Sequence, residues 1–320
     1  MDRPEFLSVV TPCFNESDVL GLFYREIRPI LEEAAPGNYE LIFVDDGSVD
    51  DTLDQLNAIA AKDPAVRVCS LSRNFGHQIA LTAGLDAAVG DAVIMMDSDL
   101  QHPPSLIPEL LRRRREGYDI VSAVRDRTEG ASWFKNFTSS LFYLLLNKLS
   151  TTKVPVGAAD FCLLSRRVVA ALRAMPEHHR FLRGLVSWSG YKRAIVHYQS
   201  PRRAAGSTKY SPVKMIALAL DAIFSFSAEP LRLAPRAGIL ITVLGFAYLA
   251  WNLIKGMLLG GLVPGYASLI GVVTILGGCQ LVFIGLIGEY LARVFEEVKG
   301  RPVYLLKQEP KAPASRPAER

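Results

Sequence analysis

Up to Val124, short apolar runs alternate with stretches whose apolar positions recur every three or four residues. Phe6 to Thr11 ends at Pro12 and reads as a buried strand. Glu16 to Glu33 sets Val19, Leu20, Phe23, Ile27, Ile30 and Leu31 on one helical face. Tyr39 to Val44 is a second strand, Asp51 to Lys62 a helix, and Val66 to Leu71 a third strand. A helix reaching Ala88 follows, then a fourth strand from Ala92 to Met96. Pro103-Pro104 opens a helix through Arg115, and Asp119 to Val124 is a further strand. This alternation predicts an α/β domain, Rossmann-like, with a mostly parallel sheet covered on both faces. Its ligand site belongs beyond the carboxyl ends of the strands.

The pattern then changes. Trp133 to Leu149 and Pro212 to Ser227 are strongly apolar yet carry Lys135, Lys148, Lys214 and Asp221, too polar to span a bilayer. They read as interfacial helices, about 132–149 and 212–227, with ordinary core helices as the alternative. Ala237 to Ile254 carries no charge, and neither does Gly256 to Gly288. Gly260-Gly261 and Pro264-Gly265 break the latter early, so the second span is placed at 267–287. A helix needs about 20 residues to cross the hydrocarbon, so the two runs predict a transmembrane hairpin. Arg232, Arg236, Arg293, Lys299 and Arg301 flank its outer ends, which puts both termini and the catalytic domain in the cytosol, at the inner membrane of the cell. Lys255 opposes that rule, as one snorkelling lysine can. The expected division is a catalytic domain over 1–228, the hairpin over 229–292 and a C-terminal tail over 293–320, disordered from Gln308 on.

Composition adds limits. Half of the 320 residues are apolar and the net charge is +4, a basic excess that suits an anionic leaflet or a phosphate. It is too weak to argue for a nucleic-acid partner. Cys13, Cys69, Cys162 and Cys279 lack metal-ligand spacing and read as reduced core residues. Met1 to Glu5 carries acids and no apolar segment, so a cleaved signal peptide is not expected. Arg112 to Arg115 reads as a solvated helix face, with leaflet contact as the alternative.

The chemistry lies at the strand ends. Asp97-Ser98-Asp99 closes the fourth strand, with Gln101 two residues on. Carboxylates one residue apart in an extended turn suit Mg²⁺ or Mn²⁺ bridging to a diphosphate, where the metal offsets charge on the leaving group. Asp45-Asp46-Gly47-Ser48 closes the second strand. It could be a plain turn with Ser48 or Asp50 capping the next helix. Two adjacent acids repel, however, and a ligand's donors would relieve them. Pro12, Asn15 and Glu16 follow the first strand and fall beside that site. The five histidines are unclustered; His102, next to Gln101, is the one placed to touch the metal site.

Thr11-Pro12-Cys13-Phe14-Asn15-Glu16, Asp45-Asp46-Gly47-Ser48, Arg73-Asn74-Phe75-Gly76 and Asp97-Ser98-Asp99-Leu100-Gln101 together resemble the inverting GT-A glycosyltransferases of family 2. Gly157-Ala158-Ala159-Asp160-Phe161, Arg203 through Tyr210, and Gly288-Glu289-Tyr290 through Tyr304 resemble the polyprenyl-phosphate branch, which includes bactoprenol glucosyltransferases and dolichyl-phosphate mannose synthases. The resemblance implies a nucleotide-sugar site of Pro12, Asn15, Glu16, Asp45, Asp46, Asp97 and Ser98. It implies metal ligation by Asp97 and Asp99 with Gln101, and phosphate binding by Arg125, Lys135, Ser139, Arg203 and Lys209. Some relatives carry arginine where Lys135 stands, and lysine offers a point charge and not a fork. The implied acceptor is a polyprenyl (undecaprenyl) monophosphate and the implied donor UDP-glucose, with GDP-mannose, UDP-N-acetylhexosamine and modified UDP-arabinose open.

A phosphate monoester is largely ionised at pH 7, so its oxygen is already nucleophilic and needs positioning by cations more than a strong base. Asp160 either orients the acceptor, acts as a base, or is structural. Gly271, Gly277, Gly278, Gly285 and Gly288 allow close helix packing, which predicts a homo-oligomer such as a tetramer. A processive polysaccharide synthase would share the first half but carry a Gln-x-x-Arg-Trp motif and more spans. A flippase component would not explain the acidic strand ends, and a non-catalytic lipid-binding module would not need both acids of the Asp97-Ser98-Asp99 turn.

Overall fold

The computed structural model describes residues 5–125, 158–175, 177–178, 180–199, 229–259 and 265–312. They divide into two compact units, one holding the sheet and the C-terminal segment from Pro302, the other holding two long helices.

The first unit starts with four β-α steps. Strands β1 (Leu7–Cys13), β2 (Tyr39–Asp45), β3 (Val66–Leu71) and β4 (Ala92–Met95) are buried along their whole length, as strands covered on both faces must be. Helix α1 (Ser17–Ala34) buries Val19, Leu20, Phe23, Ile27 and Leu31, the apolar stripe read from the sequence. Helix α2 (Thr52–Lys62) joins β2 to β3, and α3 (His77–Ala87) joins β3 to β4. Beneath α1, Phe23 meets Phe43 edge-on, with ring centroids 6.1 Å apart.

Strand order is β7-β5-β6-β4-β1-β2-β3-β8. The chain runs β1, β2, β3 in one direction and then returns to place β4 on the other side of β1. The order therefore reverses between β1 and β4, where an open α/β sheet leaves a crevice at its carboxyl edge. Helix α3 makes the return crossing over β1 and β2. Gly84 lets it lie close, since a Cβ there would stand 2.2 Å from Val10 Cγ1.

A short 3₁₀ turn at Pro104–Leu106 leads into α4 (Ile107–Arg115) and β5 (Ile120–Arg125). Arg112 and Arg113 pair with Glu109 and Glu116 on the exposed face of α4. Strand β6 (Ala158–Ser165) then inserts antiparallel between β4 and β5, followed by α5 (Arg166–Arg173), α6 (Leu182–Trp188) and β7 (Arg193–Tyr198), which pairs parallel to β5. Six of the eight described strands are thus parallel, with β6 and β8 reversed. Cys13, Cys69 and Cys162 are buried free thiols.

The C-terminal segment differs from expectation. Leu306–Gln308 forms β8, antiparallel to β3. Gln308 Nε2 donates to Asn57 Oδ1 at 3.0 Å, and the carbonyl of Lys311 accepts from Arg67 Nε at 2.6 Å. Residues 308–312 are ordered because they satisfy the exposed edge of β3 and a buried arginine.

In the second unit, α7 (Glu229–Leu259) and α8 (Tyr266–Val298) are longer than the spans expected at 237–254 and 267–287. Polar turns such as the Glu289–Arg293 pair continue α8. Among the described residues, Ile275–Val298 is long and apolar enough to cross a membrane, and Ala234–Tyr248 is a shorter apolar stretch. The expected interfacial helices lie outside the described residues.

Candidate active site

Three loops at the carboxyl edge are locked together by side chains. The loops after β1 and β2 interlock. The Asn15 N–H donates to Ser48 Oγ (3.0 Å), the Val49 N–H donates to Asn15 Oδ1 (2.9 Å), and the Glu16 N–H donates to Thr52 Oγ1 (2.9 Å). Asn15 takes φ +53°, a left-handed conformation that asparagine tolerates. Asp50 Oδ1 accepts from the Thr52 N–H at the head of α2.

The adjacent acids both find donors within the protein. Asp45 Oδ1 accepts from the Ser48 N–H (3.0 Å) and Oδ2 from the Ser70 hydroxyl (2.8 Å). Asp46 Oδ1 accepts from the Phe75 N–H (2.7 Å) and Oδ2 from the Gly76 N–H (2.9 Å), fastening the Arg73-Asn74-Phe75-Gly76 loop to the end of β2. Burial pushes the Asp46 carboxyl above its ordinary range, with those two N–H groups opposing. Gly47 sits at φ +68°, where a Cβ would stand 2.4 Å from the Arg73 carbonyl carbon, so only glycine fits.

The Asp97-Ser98-Asp99 turn follows β4. Ser98 Oγ donates to the Pro12 carbonyl (3.4 Å), tying the turn to the end of β1. The Gln101 N–H donates to Asp99 Oδ1 (3.0 Å), and Leu100 adopts φ +60°, a strained position for a branched residue. His102 Nδ1 accepts the Asp97 N–H at 3.0 Å, which requires that nitrogen to be unprotonated. Burial holds the His102 pKa below the ordinary value, and its ring stacks on Phe161 at 5.1 Å. His102 therefore shapes the turn through the backbone. Arg125, at the end of β5, points a guanidinium nitrogen at Gln101 Oε1 (3.4 Å).

Asp160 on β6 joins this edge. Its carboxylate is 4% exposed. It receives Arg183 Nε at Oδ1 (2.6 Å), Arg183 NH2 at Oδ2 (2.8 Å) and Gln78 Nε2 at Oδ2 (3.1 Å), with His77 Nε2 at 3.3 Å. Burial alone would raise its pKa, but Arg183 and His77 outweigh it and hold the carboxyl well below the usual range. Of the three roles open to Asp160, orienting, basic and structural, the donors on both of its oxygens and its lowered pKa speak for holding its neighbours in place.

His77, one of the histidines unclustered in sequence, is brought to this edge by the fold. Its Nε2 stands between Asp160 Oδ2 and Asp97 Oδ1 (3.5 Å), with the side chain 43% exposed. Burial disfavours the imidazolium, yet the Asp160 hydrogen bond and the charges of Asp97 and Asp160 prevail and raise its pKa. Sequence reasoning missed His77, Gln78 and Arg183. The first two directly follow the Arg73-Asn74-Phe75-Gly76 motif, which could have marked them; nothing local marks Arg183.

Pro12, Asn15, Glu16, Asp45, Asp46, Asp97, Ser98, Asp99, Gln101, Arg125 and Asp160 thus all fall on the loops or strand ends at one edge of the sheet. Lys135, Ser139, Arg203 and Lys209 lie outside the described residues. A divalent cation fits here: Asp97 Oδ1 is closed off from solvent without a hydrogen-bond partner, and Asp99 lies on the same turn. No group of three or more His, Cys, Asp or Glu is placed to hold a metal ion among the described residues, so remaining ligands would come from a diphosphate.

A switch-point crevice edged by an Asp-x-Asp turn defines a sugar-nucleotide transferase of GT-A architecture. Residues 8–173 match the family model of Glycosyl transferase family 2, and residues 229–294 match the GtrB C-terminal hairpin. The chain belongs to glycosyl transferase family 2 and is a glycosyltransferase carrying that hairpin. It is 45% identical to an uncharacterized glycosyltransferase of Synechocystis, over 94% of each chain. It is 40% identical to the uncharacterized glycosyltransferase YkcC of Bacillus subtilis, over 96% of this chain and 95% of the relative. It is 41% identical to the SfII prophage-derived bactoprenol glucosyl transferase of Shigella flexneri, over 94% of this chain and 97% of the relative. Among solved structures, glucosyl-3-phosphoglycerate synthase of Mycobacterium tuberculosis, in complex with Mn²⁺, UDP-glucose and phosphoglyceric acid, matches 69% of this chain and 78% of its own, at TM-score 0.46 and 22% identity.

Proposed function

We propose that this glycosyltransferase moves a sugar from a nucleotide donor to a polyprenyl monophosphate at the cytosolic face of a membrane, with inversion, and that the donor is UDP-glucose. The carrying observation is the Asp97-Ser98-Asp99 turn at the end of β4, where among the described residues Asp97 Oδ1 accepts no hydrogen bond and faces only the His77 ring at 3.5 Å, in a chain that also bears the GtrB hairpin. The bactoprenol glucosyl transferases among its relatives support the acceptor and the sugar.

Pro12, Glu16, Asp46 and Ser98 line the nucleotide side of the crevice, with Asn15 and Asp45 bracing its loops. Asp97 and Asp99 hold Mg²⁺ or Mn²⁺ with Gln101; when bound, the cation offsets charge on the departing diphosphate. Arg125 attracts the acceptor phosphate, joined by Lys135, Ser139, Arg203 and Lys209. The phosphate oxygen attacks the anomeric carbon in line with the leaving diphosphate. It carries its own negative charge, so no side chain has to remove a proton. Asp160 keeps His77 placed beside Asp97 and is itself held by Arg183. The hairpin spans the membrane with both ends cytosolic, and the chain assembles as a homo-oligomer such as a tetramer.

The test is a panel of nucleotide sugars offered with polyprenyl phosphate and Mg²⁺ or Mn²⁺ to the purified full chain. A single-sugar glycolipid supports the reading. A polymer would show a processive synthase, and no transfer from any donor would remove the proposal.

A further inference from the structure

Tyr198 ends β7 with a hydroxyl that finds no acceptor for its proton among the described residues, while the Arg125 guanidinium stands against it. The residue is 5% exposed, and its Oη is shielded from solvent without a hydrogen bond. The ring is edge-on to His102 at 6.4 Å and to Phe161 at 6.0 Å, the same pair that stacks beneath the Asp97-Ser98-Asp99 turn. Those contacts and the strand backbone fix where the hydroxyl points. Tyr198 is the register partner of Arg125, whose guanidinium reaches Gln101. Burial raises the phenol above its ordinary pKa, with the Arg125 charge opposing and those of Asp97 and Asp99 adding, so at neutral pH it is a proton-bearing donor.

A hydroxyl withdrawn from water without an acceptor is penalised, and phenylalanine would fill the same space without that cost. A neutral donor beside a guanidinium is suited to an anionic oxygen, which both can serve at once.

We propose that the Tyr198 hydroxyl donates a hydrogen bond to a phosphate oxygen of a bound reactant, alongside Arg125. The ligand chemistry is an ionised phosphate, whether the diphosphate of the donor or the monophosphate of the acceptor lipid. This rests on the glycosyl transfer proposed above, but the binding event can be read without turnover.

The experiment is Tyr198→Phe in the full-length protein in detergent micelles, with three readouts. Thermal unfolding reports the fold. Calorimetric binding of UDP with Mn²⁺ reports the donor arm. Binding of a short-chain polyprenyl monophosphate reports the acceptor arm. The melting temperature is expected to stay near wild type, because the hydroxyl proton has no acceptor among the described residues, while one arm weakens about tenfold or more. Weakened UDP binding assigns the hydroxyl to the diphosphate, and weakened lipid-phosphate binding assigns it to the acceptor. Both arms staying within about twofold of wild type overturns the proposal. So does a drop in melting temperature with equal losses in both arms, which marks a structural tyrosine. A wild-type chain that binds UDP yet transfers no sugar overturns the proposed function and leaves the Tyr198 result readable.

Discussion

Arg183 grips Asp160 with both arms, Nε to Oδ1 at 2.6 Å and NH2 to Oδ2 at 2.8 Å, across 23 residues of sequence. The carboxylate is buried while the guanidinium side chain is 31% exposed, so the pair is anchored on the Asp160 side. Removing the arginine strands a buried charge. Arg183→Met is expected to destabilise the protein by about 2–4 kcal/mol, somewhat less than for a fully buried pair, as read by thermal or denaturant unfolding in detergent.

The same pair sets an acid limb. The folded-state pKa of Asp160 is depressed, so its stabilisation is complete above the unfolded value of about 3.9 and is lost as pH falls through the lower folded value. Stability should therefore drop with falling pH below about 4, and Asp160→Asn should flatten that part of the profile. An unchanged acid limb in Asp160→Asn would assign the loss to other carboxylates.

Asp99→Ala should leave the hairpin inserted and the thermal midpoint near wild type, because Asp99 is half-buried and its bond from the Gln101 N–H stays within the turn. Transfer should fall by at least about a hundredfold. Full activity under saturating Mg²⁺ or Mn²⁺ would remove the metal assignment.

Gly47→Ala tests the loop clamp. A Cβ at 2.4 Å from the Arg73 backbone must push the Arg73-Asn74-Phe75-Gly76 loop away, and φ +68° adds strain. A loss of about 1–3 kcal/mol in stability is expected, with weaker UDP binding. Wild-type binding in a folded variant would show that the loop does not shape the nucleotide site.

Deleting residues 302–320 should uncover the β3 edge, since β8 pairs there and the Leu305 carbonyl accepts the Ser72 N–H at 2.8 Å. Arg67 would also lose the Lys311 carbonyl. Lower thermal stability and a greater tendency to aggregate are expected, read by unfolding and size-exclusion chromatography.

The sheet's first half was readable because each strand is a run of apolar residues stopped by a charged or proline-containing turn, as at Val44-Asp45 and Met96-Asp97. β6 was less so: Asp160 interrupts its apolar run, and its antiparallel insertion leaves no local trace. β7 carries a two-residue alternation that buries Val196 and Tyr198, a signal that was present but short. β8 is three residues inside a proline-rich tail, and only its partner β3 makes it a strand. The candidate residues carried by short motifs could be picked out from the sequence. Their supports could not, because Ser70, Phe75 and Gly76 satisfy Asp45 and Asp46 through contacts 25 to 30 residues away in sequence.

The most direct test of sugar transfer at this edge is formation of a labelled glycolipid. The full chain, reconstituted in liposomes with undecaprenyl phosphate and Mn²⁺, would receive radiolabelled UDP-glucose beside an Asp99→Ala control. The account predicts a glucosyl-phosphate lipid of inverted anomeric configuration from the wild type and none from the control. Label entering the lipid equally in both, or a product of retained configuration, would contradict it.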